Sequence, residues 1–323
     1  MKVWLSTFAR AGRTHVIAHA AEAAGFFGIM LTDSQILVAD PYVELAAIAD
    51  STRDLRLGTC ASNLVTRHPT VLAAMAATIQ ERSNGRMVLG LARGDSALTK
   101  VGLRPLTVEQ FGEELAGVRR LLRGEAVDYG AGAVSLTWLD PSAPPVPIVG
   151  IASGPHAIDA VAANADGLIL QVGSDPSAVK RGVDAARQAQ RSEDFTVSAY
   201  VIVGLQQHGE PAPIDGVIRV LARMADAALA DDDSAQARAA HDAADSYSLA
   251  THGLDGPSGT TTHVEDYAVQ GDAQECLQHL RAIADSGCDE LVVILGSVST
   301  PTSELVTLVS DFGRDVLPGL AGV

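Results

Sequence analysis

Cysteine is scarce in this chain. Cys60, Cys276 and Cys288 are the only three in 323 residues, too few and too scattered for a disulfide framework, and no Cys-x-x-Cys or Cys/His spacing suggests structural zinc. A reducing cytosol is the simplest home, so a cytoplasmic protein is expected. Basic residues are short as well. Lys and Arg number 23 against 39 Asp and Glu, a formal net charge of −16, and long-range repulsion argues against unaided binding to nucleic acid or to an anionic membrane. A small-molecule partner is favoured. No uncharged apolar run reaches about 18 residues, and Met1–Phe8 reads as a short strand with no signal-peptide core behind it. The expectation is a soluble, unexported protein. Several catalytic signatures are missing too: no Gly-x-Ser-x-Gly elbow, Walker loop, zincin His pair or well-formed Gly-x-Gly-x-x-Gly lies at a strand-to-helix junction. Ser-His-Asp hydrolysis, kinase chemistry and Rossmann NAD binding lose ground accordingly.

What the chain does have is apolar residues, 47% of the total, enough at this length for one large domain over residues 1–323. Short β-rich runs alternate with helical stretches. Strands are expected at Val3–Thr7, Gly28–Leu31, Leu55–Ala61, Met87–Leu91, Val146–Gly150, Gly167–Gln171, Thr196–Val203 and Leu291–Leu295. Helices are expected at Thr14–Ala24, Pro41–Thr52, Pro69–Arg82, Val108–Arg123, Pro155–Ala163, Pro176–Gln190, Ala273–Ser286 and Ser303–Val316. Asp40 before Pro41 and Asp175 before Pro176 are sound helix starts. Eight strands and eight helices predict an α/β fold, a (β/α)₈ TIM barrel, with a doubly wound open sheet as the alternative because counting units does not show closure. Two regions break the rhythm. Gly130–Pro147 reads as an ordered excursion before the fifth strand. The insertion at about 204–270, between strands seven and eight, reads either as a lid or wall of the substrate pocket or as a peripheral dimerisation or solvated element.

Three loops carry candidate chemistry. Asn63-Leu64-Val65-Thr66-Arg67-His68-Pro69 ends the third strand; Asn63 offers donor and acceptor to a heterocycle, and Arg67 and His68 add positive charge, although Thr66 or His68 would equally serve as a cap for the helix near Pro69. Arg93-Gly94-Asp95-Ser96-Ala97 follows the fourth strand. Gly94 permits close backbone approach, and Asp95 is either a functional carboxylate or a turn residue. Ile151-Ala152-Ser153-Gly154-Pro155-His156 leads the fifth strand into a helix whose free N–H groups suit a phosphate. His15, His19 and Glu22 are spaced to share a helix face, yet no metal is expected.

These stretches, with Ala20–Ser34 and Asp40–Thr59, resemble the bacterial luciferase-like superfamily, in particular its coenzyme F420-dependent oxidoreductase branch, similar to methylenetetrahydromethanopterin reductase. The likeness is strong over roughly Ala20–Asp175 and weaker through Ala273–Gly296. It implies a (β/α)₈ barrel binding F420, or alternatively FMN, at its C-terminal mouth, usually as a homodimer. Carried over by position, it implies that Asp33 and Asn63 approach the ring system and that the third strand ends in a bulge with a non-proline cis bond at Cys60–Ala61. It places Arg93, Gly94 and Asp95 near the coenzyme and gives Ala152, Ser153, Gly154 and Pro155 its phosphate, while Lys180 and Arg181 are set by charge toward a glutamyl tail. Asp33 and Asp95 are the catalytic candidates, for proton transfer in a desolvated site. Ser34 stands where some relatives have His, and Ser6 where the reductase branch often has Glu. The expected reaction is therefore hydride transfer between deazaflavin C5 and a small organic substrate with a C=C, C=N or C=O bond, rather than methylenetetrahydromethanopterin reduction itself. The alternatives are an FMN-dependent monooxygenase and a non-catalytic binder of the same cofactors.

Overall fold

In the computed structural model the described residues are 1–94, 96–140, 142–207, 214, 217 and 267–322. Eight parallel strands form the centre: β1 (Lys2–Phe8), β2 (Gly28–Thr32), β3 (Arg56–Thr59), β4 (Met87–Ala92), β5 (Ile148–Ala152), β6 (Gly167–Leu170), β7 (Thr196–Leu205) and β8 (Glu290–Leu295). Each pairs with its neighbour in sequence. Because β7 pairs with β6 through Thr196–Ala199 and with β8 through Ser198–Val203, and β8 pairs with β1, the sheet closes on itself. The open-sheet alternative is excluded. Burial on both faces explains the near-continuous apolar strands; nine of the ten residues of β7 are buried.

The enclosing helices are α1 (Thr14–Ala24), α2 (Pro41–Ser51), α3 (Pro69–Arg82), α4 (Val108–Leu122), α5 (Pro155–Asn164), α6 (Pro176–Ala189), α7 (Ala273–Ala284) and α8 (Thr302–Asp315). Their starts follow the chemistry of exposed first-turn amides. Asp40 accepts from the amides of Tyr42 and Val43, Asp175 from those of Ser177 and Ala178, and Thr107–Gln110 and Asp272–Glu275 form reciprocal capping boxes. Strand five starts later than expected, at Ile148, since Pro147 has no N–H to give to the ladder.

Two departures bear on the site. The third strand is not continuous over Leu55–Ala61. It pairs with β4 at Leu57↔Met87 and Gly58↔Val88, breaks, and resumes at Ser62↔Leu91 and Asn63↔Ala92, so one residue more is spent on this strand than on β4. That is a bulge, and the Cys60–Ala61 peptide within it is cis. Across the gap the Thr59 hydroxyl accepts from the Gly90 amide at 3.0 Å and donates to its carbonyl at 2.8 Å, replacing the lost ladder bonds. Only glycine fits at 90, because a Cβ there would lie 1.8 Å from the Thr59 carbonyl oxygen.

The second departure lies at the insertion. Its last residues are a strand, Ala268–Gly271, paired with Ile202–Leu205 of β7. Ile202 and Val203 also pair with β8, so this strand takes the edge of β7 along which β6 has ended. The lid or wall reading of 204–270 otherwise lies outside the described residues. The excursion before β5 contains a small hairpin, Val127–Asp128 against Ala133–Val134.

Side-chain alternation sets the lumen. Ser6 of β1 meets Cys60 beyond β3 and Tyr200 of β7, neither on a strand adjacent to β1, so all three point inward.

Candidate functional site at the C-terminal mouth

Parallel strands deliver their following loops to one end, and that end receives nearly all the expected site residues. Asp33 follows β2, Cys60–Asn63 form the bulge after β3, Arg93 and Gly94 follow β4, and Ala152–Pro155 run from β5 into α5. Asp95 lies outside the described residues. Just after it, Ser96–Thr99 form a short helix.

The β2–β3 side is a closed polar network. The buried Asp33 carboxylate accepts at Oδ2 from the Ser62 hydroxyl at 2.7 Å and from Arg67 Nη1 at 2.5 Å. Arg67 Nη2 donates to Asp40 Oδ2 at 2.7 Å, and its guanidinium lies 5.2 Å from the centre of the Tyr42 ring. Tyr42 in turn donates from its hydroxyl to Ser62 Oγ at 2.7 Å. Burial opposes the Arg67 charge, yet Asp33 and Asp40 outweigh it and raise the guanidinium above its ordinary value. Burial raises the Tyr42 phenol as well, so it remains a donor. Asp33 Oδ1 takes no hydrogen bond among the described residues and stays available.

Asn63 is half committed. Its Oδ1 accepts from the amides of Val65 and Thr66 and from the Thr66 hydroxyl, at 3.1, 2.9 and 3.1 Å, an Asx turn that shapes the loop. Only its NH₂ is left for a ligand. His68, not Thr66, caps α3, its Nδ1 accepting from the Thr70 amide at 3.3 Å. The Cys60 thiol is pushed up to about 12 by burial, with Ser6 lowering it, so it stays a neutral wall of the mouth.

Arg93 donates from Nε to the Leu106 carbonyl at 2.6 Å and accepts the Leu106 amide at its own carbonyl, pinning the loop after β4. Gly94 sits at φ +91°, and a Cβ there would come within 2.3 Å of Leu98. Both conformation and space demand glycine. Ala152 closes β5, paired with Leu170. Gly154 is the N-cap of α5 with no side-chain hydrogen bond to the first turn, and Pro155 follows at the first helical position. An uncapped helix start with its positive dipole end suits an anion.

One residue escaped the sequence reading. Gln171 follows β6 in inward register with Ile169, and its buried Oε1 has no hydrogen-bond partner among the described residues. The only sequence signal was a polar residue ending an otherwise aliphatic strand. A buried acceptor without a partner is costly. Other candidates are occupied. Lys180 pairs with Asp184 one turn away at 3.0 Å. Glu22 Oε1 accepts from the amides of Arg53, Asp54 and Leu55, His19 Nε2 lies 3.0 Å from the Ser51 carbonyl, and the His15 and His19 rings meet edge to face.

Comparison with known proteins places the family and the fold. Residues 3–290 match the family model described as luciferase-like monooxygenase. A 5,10-methylenetetrahydromethanopterin reductase of Methanolobus tindarius is 29% identical over 206 residues, 60% of this chain and 62% of the reductase, so the chain spans about three fifths of that relative's length. Among solved structures, the coenzyme F420-dependent tetrahydromethanopterin reductase of Methanopyrus kandleri superposes with a TM-score of 0.74 at 19% identity, covering 98% of each chain. A monooxygenase from Streptomyces bottropensis superposes with a TM-score of 0.69 at 20% identity, covering 99% of this chain and 100% of its own. These likenesses show a shared fold.

Proposed function

Because the chain belongs to the luciferase-like monooxygenase family, we propose that it is an F420-dependent oxidoreductase acting on a small organic substrate with a reducible C=C, C=N or C=O bond. The supporting observation is that one mouth joins a hydrogen-bonded network, in which Arg67 bridges Asp33 and Asp40, to an uncapped helix start at Gly154. When bound, the deazaflavin supplies hydride transfer at C5, the chemistry a protein scaffold does not itself provide.

The chain's own residues bind, orient and exclude water. Asp33 Oδ1 and the Asn63 NH₂ offer one acceptor and one donor to the edge of a ring. The amides at the start of α5 would hold the phosphate, and Gln171 Oε1, at the end of the neighbouring β6, is an acceptor on the same side of the mouth. With Ser62 and Arg67 both donating to it, Asp33 serves as a fixed acceptor. Proton delivery then falls to Asp95. Asp95→Asn is expected to lower turnover at least a hundredfold with coenzyme affinity kept, on the scale of general acid catalysis; a loss under about tenfold would remove it from that role.

The reading is tested by parallel fluorescence titrations with F420 and FMN, followed by anaerobic turnover with reduced F420. Tighter F420 binding and oxygen-independent turnover support it. Preference for FMN with an absolute need for O₂ would establish instead the second reading, a flavin monooxygenase, which the family's own description favours.

A further inference from the structure

At the opposite end of the barrel lies a cavity of about 420 Å³, within the size range of small-ligand sites. The N-terminal layer of such a barrel is ordinarily filled by inward side chains. Here it is, for an identifiable reason, incompletely filled toward the rim, although Trp4, Met30 and Ile169 beneath are themselves buried. Gly28 lets the Trp4 ring lie flat on the backbone of β2, where a Cβ would come within 2.3 Å of it, and Glu290 fixes the indole by accepting its N–H at 2.7 Å. The bulkiest side chain of the layer is thereby held against the wall. Met30, Val88, Val149 and Ile169 complete an apolar floor.

The rim is cationic in an acidic protein. Four cations, Lys2, Arg56, Arg119 and Arg123, line the cavity against three carboxylates, Asp166, Asp194 and Glu290, while the whole chain carries −16. Two of those carboxylates are already engaged: Glu290 by Trp4, by Ser198 at 3.4 Å and by Lys2 at 3.4 Å, and Asp166 by Arg119 at 2.5 Å and the Ile148 amide at 3.0 Å. Arg56 and Arg123 make no ion pair among the described residues. Arg56 rests 5.5 Å from the Phe27 ring centre, held at the rim without a counter-ion.

We propose that this lower mouth is a second binding site, separate from the coenzyme site, for a small organic monocarboxylate: an apolar body against Trp4, Met30 and Ile169, with its carboxylate on Arg56 and Arg123. Arginine forks suit a carboxylate, and the apolar floor rejects a fully hydrated inorganic anion.

Trp4 is one of only two tryptophans, the other being the exposed Trp138, so Trp138→Phe leaves a single reporter inside the cavity. In that background, octanoate is expected to produce a saturable change in Trp4 emission and octylamine none. Adding Arg56→Gln with Arg123→Gln should weaken octanoate at least tenfold while F420 titration at the upper mouth is unchanged. If the double variant does not fold, Arg123→Gln alone, at an exposed position, should weaken octanoate at least threefold. The proposal is overturned by no saturable response to octanoate, by an equal response to octylamine, or by unaltered affinity in the folded arginine variant.

Discussion

The Asp33–Arg67 pair is the most exposed to test. The Asp33 side chain is 2% accessible and that of Arg67 17%, whereas Asp40, the other partner of Arg67, is 40% accessible. Replacing Arg67 by Met keeps much of the stem that lies over Tyr42 but removes the cation from a buried carboxylate. Breaking a buried pair from one side costs about 3–5 kcal/mol. The Ser62 hydroxyl still donates to Asp33, so the lower end, about 3 kcal/mol, is expected. Loss of the Asp40 contact adds at most about 1 kcal/mol because that carboxylate is solvated. Asp33→Asn leaves Arg67 with Asp40 and solvent and should cost less, about 1–2 kcal/mol. In the double variant no buried charge is left unpaired, and its cost should fall short of the sum of the two single costs by about 2 kcal/mol. Urea unfolding of the parent, both single variants and the double variant measures this coupling directly. Additivity to within about 0.5 kcal/mol would refute the claim that Arg67 is there to balance Asp33.

Three further outcomes follow from particular contacts. Gly90→Ala forces a Cβ onto the Thr59 carbonyl oxygen, 1.8 Å away in the present backbone; since backbone cannot yield as a side chain does, a loss of about 3 kcal/mol in stability or failure to accumulate folded protein is expected, read by thermal unfolding. Gly154→Asp supplies α5 with the cap it lacks, raising stability by a few tenths of a kcal/mol while placing a negative charge where the phosphate would sit; coenzyme affinity should fall at least tenfold with no loss in melting temperature. Burial raises the Cys60 thiol from 9.0 to about 12, so above pH 9 the unfolded chain releases a proton that the folded one keeps. Stability should drop by about 1.4 kcal/mol per pH unit from 9 toward 12 on this account, and Cys60→Ala should lessen the slope in denaturant titrations at pH 9 and 10.5 by that share, leaving the shares of Cys276 and Cys288, whose thiols burial also raises.

Much of the scaffold was legible because its signals are local. Asp40-Pro41 and Asp175-Pro176 announce helix starts through the first two residues, and each barrel strand is an aliphatic run between such helices. Closure was not legible, since it depends on β7 finding β6 and β8 across the ring. The break in β3 was foreseen only through family likeness; within the chain it depends on Gly90 lying opposite Thr59, a pairing 31 residues apart. At the site, the residues reaching the mouth were readable from their position after strands, but their partners were not. Nothing in the order Asp33, Asp40, Ser62, Arg67 says that these four meet, or that Asn63 spends its oxygen on its own loop.

Those partners divide the mouth into two unlike halves. Around β2 and β3, the polar side chains are tied together before any ligand arrives: Arg67 bridges Asp33 and Asp40, and Ser62 accepts from Tyr42 and donates to Asp33. Around β5 and β6, among the described residues, the helix start at Gly154 has no side-chain cap and Gln171 Oε1 has no donor. A site organised this way takes an uncharged ring against the pre-tied half, which keeps its shape with or without ligand, and an anion against the deficient half, whose amides gain most when charge arrives. It follows that binding should stabilise α5 far more than α2 or α3. Hydrogen exchange with and without coenzyme would show protection rising in residues 154–164 and staying level in 41–51 and 69–82; equal protection across both halves would contradict the division.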